Sequence, residues 1–533
     1  MRTEALIELI TVILRAATLV SQSLLIGGVV FRRWIAARPA EPGEPGPGVW
    51  LLRYAAISLA AAQALFLGLN TMVLRNSLGL NLLEMISANF FLVGMVTIVA
   101  ALAMAVAPSR LLTRPGNLIT FLSIVALACG VLGSHAASRI DQRGFLITFT
   151  ALHQAGAAVW IGGLPQLWIS LRGPDPGTQE GIARRFSRLA LISVLVLAGT
   201  GLAMVLRYID APSALYGTSY GVMVAIKILF FLVLITIGAF NRKLVHSFQV
   251  NPETRSRMLR HMLEAEIGIG ITAILAAASL TSQPPAADLK LGRASAAEIY
   301  QRMKPEWPRL SSSGLAEISG SSLQAIKRAR RLGLPPPPAH DNTAADIAWS
   351  EYNHHWAGIF VLLLGVLAAL AQRRYPKGAP ARYWPLLLVG LAVFIFLRAD
   401  PEGWPLGPDN FTEAIQNGEV LQHKAFALLL LLFGLFELRV QLGKARSLAA
   451  YAFPAVCALG GALLLTHSHS LVNIKEQLLA ELSHAPIAVA AVLAGWSRWL
   501  ELRLPGVQNR WMTRLWPACF VAIGAILLNY REA

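Results

Sequence analysis

The sequence predicts an all-α protein, a polytopic bundle of about fourteen transmembrane helices in two groups of eight and six. Charge content is the first observation. Of the 533 residues, 55% are hydrophobic and 14% are charged, with a mean hydropathy of +0.55, whereas soluble proteins carry roughly 25% charged residues. The second is length, because recurring apolar segments of about 20 residues match the ~30 Å hydrocarbon core. The third is a long polar stretch that divides these segments into two groups.

Each apolar segment predicts one helix, because only helices satisfy the backbone polar groups of a single segment inside lipid. Boundaries of this kind carry an uncertainty of a few residues. The predicted ranges are 5–31, 50–74, 86–107, 117–137, 145–171, 186–207, 219–241, 263–281, 354–373, 383–398, 423–440, 447–466, 480–499 and 514–530.

Three domains follow from this order: an eight-helix membrane domain at 1–285, a polar insert at 286–353 and a six-helix membrane domain at 354–533. The polar stretch contains two proline runs and one basic string, at Pro284-Pro285, Pro335–Pro338 and Lys327–Arg331. Short helices are expected at about Ala294–Met303 and Ser321–Arg331. They are too short and polar for a core of their own, so we expect part helix and part linker.

The net charge of +17 is read as a topology signal. Lys and Arg follow the odd-numbered helices, as at Arg32-Arg33 after the first and Arg242-Lys243 after the seventh. Basic loops stay in the cytoplasm, so the insert and both termini are expected outside. The basic residues are not interleaved with aromatic ones, which argues against a nucleic-acid partner. The expected environment of the protein is the lipid bilayer.

The cysteines and the first segment complete the picture of the membrane domain. Cys129, Cys457 and Cys519 lie far apart in apolar runs without a C-x-x-C pair, so we expect packing residues. The first segment has Glu4 and Glu8 near its start and no small-residue cleavage site, so it is expected to be a helix and not a signal peptide.

The histidines are distributed unevenly across the two sides. With this topology nine of the 11 are expected outside, where a random distribution would put about half. Those at outer helix ends are His135, His153, His354, His355, His423, His467, His469 and His484, and His340 lies in the insert. Only His246 and His261 are expected in the cytoplasm.

Clustered neutral imidazoles are ligands for copper, zinc, nickel or haem iron, so these eight helix-end histidines are the candidate metal ligands. His135 and His153 are expected to face each other across a short loop. His153 shares one face of the fifth helix with Gly156, Trp160 and Gly163, and the glycines allow close helix approach.

Each of these histidines also has a simpler interpretation, because a single histidine at a helix end is usually an interfacial polar residue. His354 and His355 are adjacent and cannot both point at one site. His467 and His469 diverge by about 200° on a regular helix, so both reach one ion only if the helix has ended.

Two further polar features bear on mechanism. Lys227 lies mid-helix in an apolar run and is either a lining group of a transport path or a snorkelling residue. Glu264 and Glu266 are expected at the start of the eighth helix, where the helix dipole favours carboxylates.

Missing motifs narrow the chemistry. The chain has no G-x-x-x-x-G-K-[ST] phosphate loop, no Cys-Pro-Cys, no Met-x-x-Met cluster and no Ser/His/Asp arrangement. We therefore expect neither ATP coupling within this chain nor an enzyme.

Several segments together resemble the CopD family of copper resistance membrane proteins over residues 1 to about 285. They are Leu152–Leu164, with its LH-x-x-x-x-x-x-W-x-G-G-L pattern, Arg185–Arg188, Ala198–Gly201, Tyr216–Gly221, Lys227, Asn241-Arg242 and Leu280–Pro285. The resemblance implies a multi-pass protein of the bacterial inner membrane that handles periplasmic copper, with a small periplasmic copper-binding partner. Its histidines carry over most directly to His135 and His153, while the six C-terminal helices have no assigned family.

Three functions remain open at this point. The first is copper import or resistance, with outer histidines binding the ion and a path past Lys227. The second is a membrane cytochrome with haem b between two imidazoles, from His135 with His153 or His467 with His484. The third is an assembly factor that delivers copper to an oxidase.

Overall fold

The computed structural model describes most of the chain. The described residues are 2–36, 46–78, 82–173, 175–248, 251–289, 292–312, 314, 332, 344–372, 380–400, 403–407, 410–412, 418–444, 447–465, 475–504, 506 and 510–532. The chain divides into two compact units, the first ending at Arg293 and the second beginning at Ala294.

The first unit is built from eight long helices. They are α1 (Arg2–Trp34), α2 (Val49–Leu78), α3 (Asn89–Val106), α4 (Asn117–Leu132), α5 (Arg143–Ser170), α6 (Pro176–Tyr208), α7 (Ser219–His246) and α8 (Pro252–Leu280). Short helices at Leu82–Ile86, Ser109–Thr113, His135–Ser138 and Pro212–Gly217 lie in the connections, with a 3₁₀ turn at Ala286–Asp288.

The second unit contains six more long helices. They are α9 (Ala344–Ala371), α10 (Leu386–Arg398), α11 (Gly418–Gln441), α12 (Ala452–Leu464), α13 (Lys475–Arg503) and α14 (Arg510–Leu528). A short helix at Ala296–Met303 precedes them, and 3₁₀ turns lie at Pro380–Tyr383 and Ser447–Tyr451. The predicted helix at Ser321–Arg331 lies outside the described residues, as do the neighbouring basic string and proline run.

The all-α membrane fold is confirmed, with a helix over each of the fourteen predicted ranges in the described chain. Within the described residues, 10 helices are long and apolar enough to cross a membrane, and two shorter apolar helices, Asn117–Leu132 and Leu448–Leu464, accompany them. For the two remaining helices, α11 and α13, spanning of the bilayer stays a prediction. The division into three domains likewise stays a prediction.

Several helices begin earlier than hydropathy predicted. α6 begins at Pro176 and α8 at Pro252, about ten residues before their apolar parts. Asp175 and Asn251 cap them, with side chains that accept hydrogen bonds from Thr178 N–H and Thr254 N–H. Hydropathy detects only the apolar portion of a helix, and therefore it misses a polar first section that extends beyond the bilayer.

Several histidine positions also change. His135 does not close α4, which ends at Leu132, but opens the short helix His135–Ser138. His354 and His355 lie nearly three turns inside α9, because that helix begins at Ala344. His423 and His484 lie inside α11 and α13 for the same reason.

Glycines bring α1 and α5 into backbone contact. A Cβ on Gly162 would lie 1.8 Å from the Ser23 carbonyl oxygen, and one on Gly27 would lie 2.2 Å from the Ala158 oxygen. No side chain fits at either position without moving a helix. Small residues that allow such approach are typical of membrane helix interfaces, where van der Waals packing replaces the hydrophobic effect.

In the second unit, glycines also allow close contact between helices, around an aromatic core. Gly365 on α9 faces α14, and a Cβ on Gly365 would lie 2.8 Å from the Pro517 carbonyl oxygen. Trp384, Phe453 and Trp516 pack together, with ring centroids 5.1 to 5.9 Å apart. The predicted helix at Ala294–Met303 is present at Ala296–Met303, with a capping box between Ser295 and Glu298.

Candidate metal-binding cavity

A cavity with a volume of about 510 Å³ lies within the first unit. Its walls come from α1 and the first half of α5, together with the second half of α6, the first half of α7 and the second half of α8. Because α5 to α8 alternate in direction, the parts of them that line the cavity lie at one end of the bundle. Its polar lining residues include Gln22, His135, His153, Gln154 and Lys227.

His153 presents a ring nitrogen to this cavity. Its Nδ1 lies 3.0 Å from the Thr200 hydroxyl oxygen, and that hydroxyl donates its proton to the Val196 carbonyl oxygen at 2.6 Å. The hydroxyl therefore accepts from Nδ1–H, which assigns the proton to Nδ1 and leaves a lone pair on Nε2. No partner of Nε2 is found among the described residues, so this nitrogen is available as a ligand.

His135 lines the same cavity from the loop between α4 and α5. Its Nε2 donates to the Thr281 carbonyl oxygen at 2.7 Å, because a carbonyl can only accept, so the lone pair lies on Nδ1. The structure thus brings His135 and His153 to one cavity, each with a hydrogen bond that orients the ring. A backbone or hydroxyl partner on the other nitrogen is the usual support of a metal-ligating histidine.

The fixed charges on the cavity wall are all positive. Lys227 and Arg15 line it, and no Asp or Glu is found among the described residues that line it. Arg15 donates to the Gly133 carbonyl oxygen at 3.4 Å, whereas no ion pair of Lys227 is found in the described part of the chain. The Met204 thioether, a soft ligand, is also on the wall.

Gly156 and Gly163 place α5 against α6. A Cβ at Gly163 would lie 2.7 Å from Phe186, and one at Gly156 would lie 3.2 Å from Leu197. His153, on the same face, reaches Thr200 of α6 because the two helices are this close.

A second, smaller cavity of about 160 Å³ lies at the other end of the same helices. It is lined by the later part of α5, the first half of α6, the end of α7 and the earlier part of α8. Trp160 lines both cavities and is buried, so its side chain forms part of the wall between them.

Glu266 lies beside Trp160 in this smaller cavity and is 2% exposed. Its Oε1 accepts from Trp160 Nε1 at 2.8 Å and its Oε2 accepts from Asn241 Nδ2 at 2.6 Å. The expectation that Glu266 serves the start of α8 was therefore wrong, since the helix begins at Pro252 and Glu266 lies mid-helix. The sequence signal that could have located this site is a carboxylate within an apolar run. Trp160 and Asn241, its two partners, belong to the segments that resemble the CopD family.

In the second unit, the described histidines lie in three different surroundings. His354 stacks on Tyr530 with ring centroids 3.7 Å apart, and His484 lies 6.3 Å from His354. His354 Nδ1 donates to the Ser350 carbonyl oxygen at 2.8 Å, which leaves its lone pair on Nε2. His354 and His484 are therefore the pair of this unit that the structure brings together.

His355 and His423 are held elsewhere. His355 Nδ1 accepts from the Arg309 backbone N–H at 2.7 Å and Nε2 donates to the Tyr530 carbonyl oxygen at 2.8 Å, so both ring nitrogens have partners. His423 Nδ1 lies 2.7 Å from the Asp400 carboxylate.

The expected convergence of many imidazoles is not seen in the part of the chain that the structure describes. Within it, no three His, Cys, Asp or Glu side chains lie close enough to hold a metal ion together. His467 and His469, two of the predicted ligands, fall outside that part, as does His340. The described arrangement offers two-histidine sites at most.

Comparison with known proteins finds a family match for part of the chain. Residues 180–280 match the family described as Copper resistance protein D, CopD. The resemblance predicted from the motifs is confirmed over that range, and the CopD segment supplies most of α6, all of α7 and α8, and with them Thr200, Lys227, Asn241 and Glu266.

A curated relative extends the comparison. Copper transport protein CutJ of Bacillus subtilis (strain 168) is 31% identical over 171 residues, which are 31% of this chain and 30% of that protein. The chain therefore matches less than a third of the relative's length. No solved structure matches the chain.

Proposed function

We propose that the first unit transports copper across the bacterial inner membrane, with the cavity at His153 as the binding site. The observation that carries the proposal is the wall of this cavity. The CopD segment contributes Gly201, Lys227 and Gly270 among other lining residues, and the unpaired Nε2 of His153 opens into the same space.

The donors on the wall suit copper. His153 Nε2 and His135 Nδ1 are neutral imidazole nitrogens and Met204 offers a thioether, and such ligands select copper over hard cations. Copper is the transported ion in this proposal, and the relative's name, copper transport protein, supports that choice. The proposed orientation puts His135 and His153 on the periplasmic side, with both termini there and a small periplasmic copper-binding protein as donor.

The second unit is proposed as an accessory site. His354 and His484 are its paired imidazoles, and His423 is held by Asp400. We leave His355 out of the proposed ligands because both of its ring nitrogens are hydrogen-bonded. No observation among the described residues favours the cytochrome or the assembly factor over transport.

The test is copper accumulation in cells that express His153→Ala, with His246→Ala as the matched control. His246 is an exposed histidine at the end of α7 and lines neither cavity. We expect His153→Ala to lower accumulation by at least about tenfold, the scale of losing a metal ligand or its support. Equal accumulation by both variants, at equal protein levels, would overturn the proposal.

A further inference from the structure

The buried carboxylate of Glu266 has no role in the copper site described above. It lies in the smaller cavity, at the opposite end of the helices from His153. Ionisable residues inside a membrane bundle are costly and commonly mark ion or proton pathways. Its surroundings therefore decide what it can bind.

The hydrogen bonds of Glu266 match an ionised carboxylate. Each oxygen accepts one donor, Trp160 Nε1 on one side and Asn241 Nδ2 on the other. No cation pairs with it among the described residues. Among the described lining residues, α5 contributes Trp160 and two leucines, α6 contributes Ser187 and apolar residues, and the polar residues of α7 are Asn241 and Arg242.

Arg242 is the one other ionisable group on the described wall of the smaller cavity, and its guanidinium is bonded to Ser187. Nη1 donates to the Ser187 carbonyl and hydroxyl oxygens at 3.3 and 3.2 Å. The negative charge of Glu266 is thus buried with hydrogen bonds but without an ion pair. Uptake of a proton would remove that charge and its desolvation cost.

Asn241 can form a hydrogen bond with Glu266 in both protonation states of the carboxyl group. Its Oδ1 is buried and has no hydrogen-bond partner in the described structure, and the residue is 6% exposed. When a proton adds to Oε2, the new O–H needs an acceptor. Rotation of the Asn241 amide by half a turn would place Oδ1 there, so the same side chain donates to the carboxylate or accepts from the acid.

We propose that Glu266 is a proton-binding site in the smaller cavity and that proton uptake releases Trp160, which lies between the two cavities. The proton comes from hydronium of the bulk solvent: one O–H bond of hydronium breaks, an O–H bond forms on Glu266 Oε2, and a neutral water molecule is left. A hydrogen bond to a neutral acid is weaker than one to a carboxylate, so Trp160 loses its anchor. Because Trp160 lines both cavities, its movement would connect them, which makes Glu266 a coupling site for proton-driven transport.

Proton binding is tested without copper. The infrared difference spectrum of the purified full-length protein in lipid, between high and low pH, should contain a carboxylic acid band that Glu266→Gln removes. Glu437→Gln is the matched control, because Glu437 is a second buried carboxyl, 2% exposed, and is bonded to Gln441. A spectrum of Glu266→Gln that keeps the wild-type band would overturn the assignment.

The coupling rests on the proposed copper function and has its own test. In vesicles with an imposed pH gradient, copper uptake by the wild type should depend on the gradient, while uptake by Glu266→Gln and Trp160→Phe should not. Copper binding at His153 should remain in both, and Trp160→Phe should keep the infrared band. Gradient-dependent uptake by Glu266→Gln would refute the coupling, whereas failure of the copper function alone would leave the infrared result intact.

Discussion

Replacing Gly162 with alanine should separate α1 from α5 and destabilise the first unit. An ideal Cβ at this position would lie 1.8 Å from the Ser23 carbonyl oxygen and 2.5 Å from its carbon. Ordinary van der Waals contact begins near 3.4 Å. The backbone of α1 would therefore have to move by about 1.5 Å, and a backbone atom cannot rotate away as a flexible side chain can.

The loss of folding free energy can be estimated from the size of this overlap. Overpacking by one methyl group commonly costs about 1–3 kcal/mol where side chains can adjust, so a clash with backbone belongs at or above the upper end. A loss of about 3 kcal/mol raises the unfolded fraction by roughly a hundredfold. The measurement is thermal unfolding of the purified protein in detergent, followed by the folded fraction on size exclusion.

Gly199 provides the matched control on a neighbouring helix. A Cβ there would meet nothing within 4 Å. Gly199→Ala should keep or slightly raise stability, because alanine is the better helix former by up to about 1 kcal/mol. Equal stability of the two variants would show that the α1 and α5 backbones are not in contact, and the arrangement of the cavity wall would then be wrong.

Two further changes probe the copper site itself. Thr200→Val should weaken copper binding by about tenfold, since it removes the oxygen that orients His153. Titration with copper measures this, and Thr97→Val, which loses a hydroxyl that lines neither cavity, should bind as the wild type does. Lys227→Met should strengthen copper binding by roughly fivefold, because about 1 kcal/mol of repulsion is removed. Weaker binding by that variant, with Lys243→Met unchanged, would mean that Lys227 neutralises an anion that accompanies the metal.

Hydropathy and loop length were sufficient for much of the fold and for part of the site. Among the described residues, the apolar segments marked every long helix, because lipid requires an unbroken apolar run. The short loop before α5 predicted that His135 and His153 face each other, since antiparallel neighbours share an end, and both residues line one cavity.

The rest depended on contacts between residues far apart in sequence. Nothing local to His355 indicates that Arg309 and the Tyr530 carbonyl occupy its ring nitrogens. Glu266 was misassigned because hydropathy starts α8 at the apolar boundary, whereas a proline and an Asn251 cap start it at Pro252. Helix ends outside the bilayer are decided by capping and polar packing, to which a hydropathy pattern is insensitive.

The acid-free lining of the larger cavity has a consequence for selectivity. Magnesium and calcium ions require several oxygen ligands, most of them carboxylates, and pay a high dehydration cost without them. The walls offer imidazole, thioether and amide groups beside two fixed positive charges. Abundant hard divalent ions would therefore gain little by entering, and a scarce soft ion would not have to compete with them.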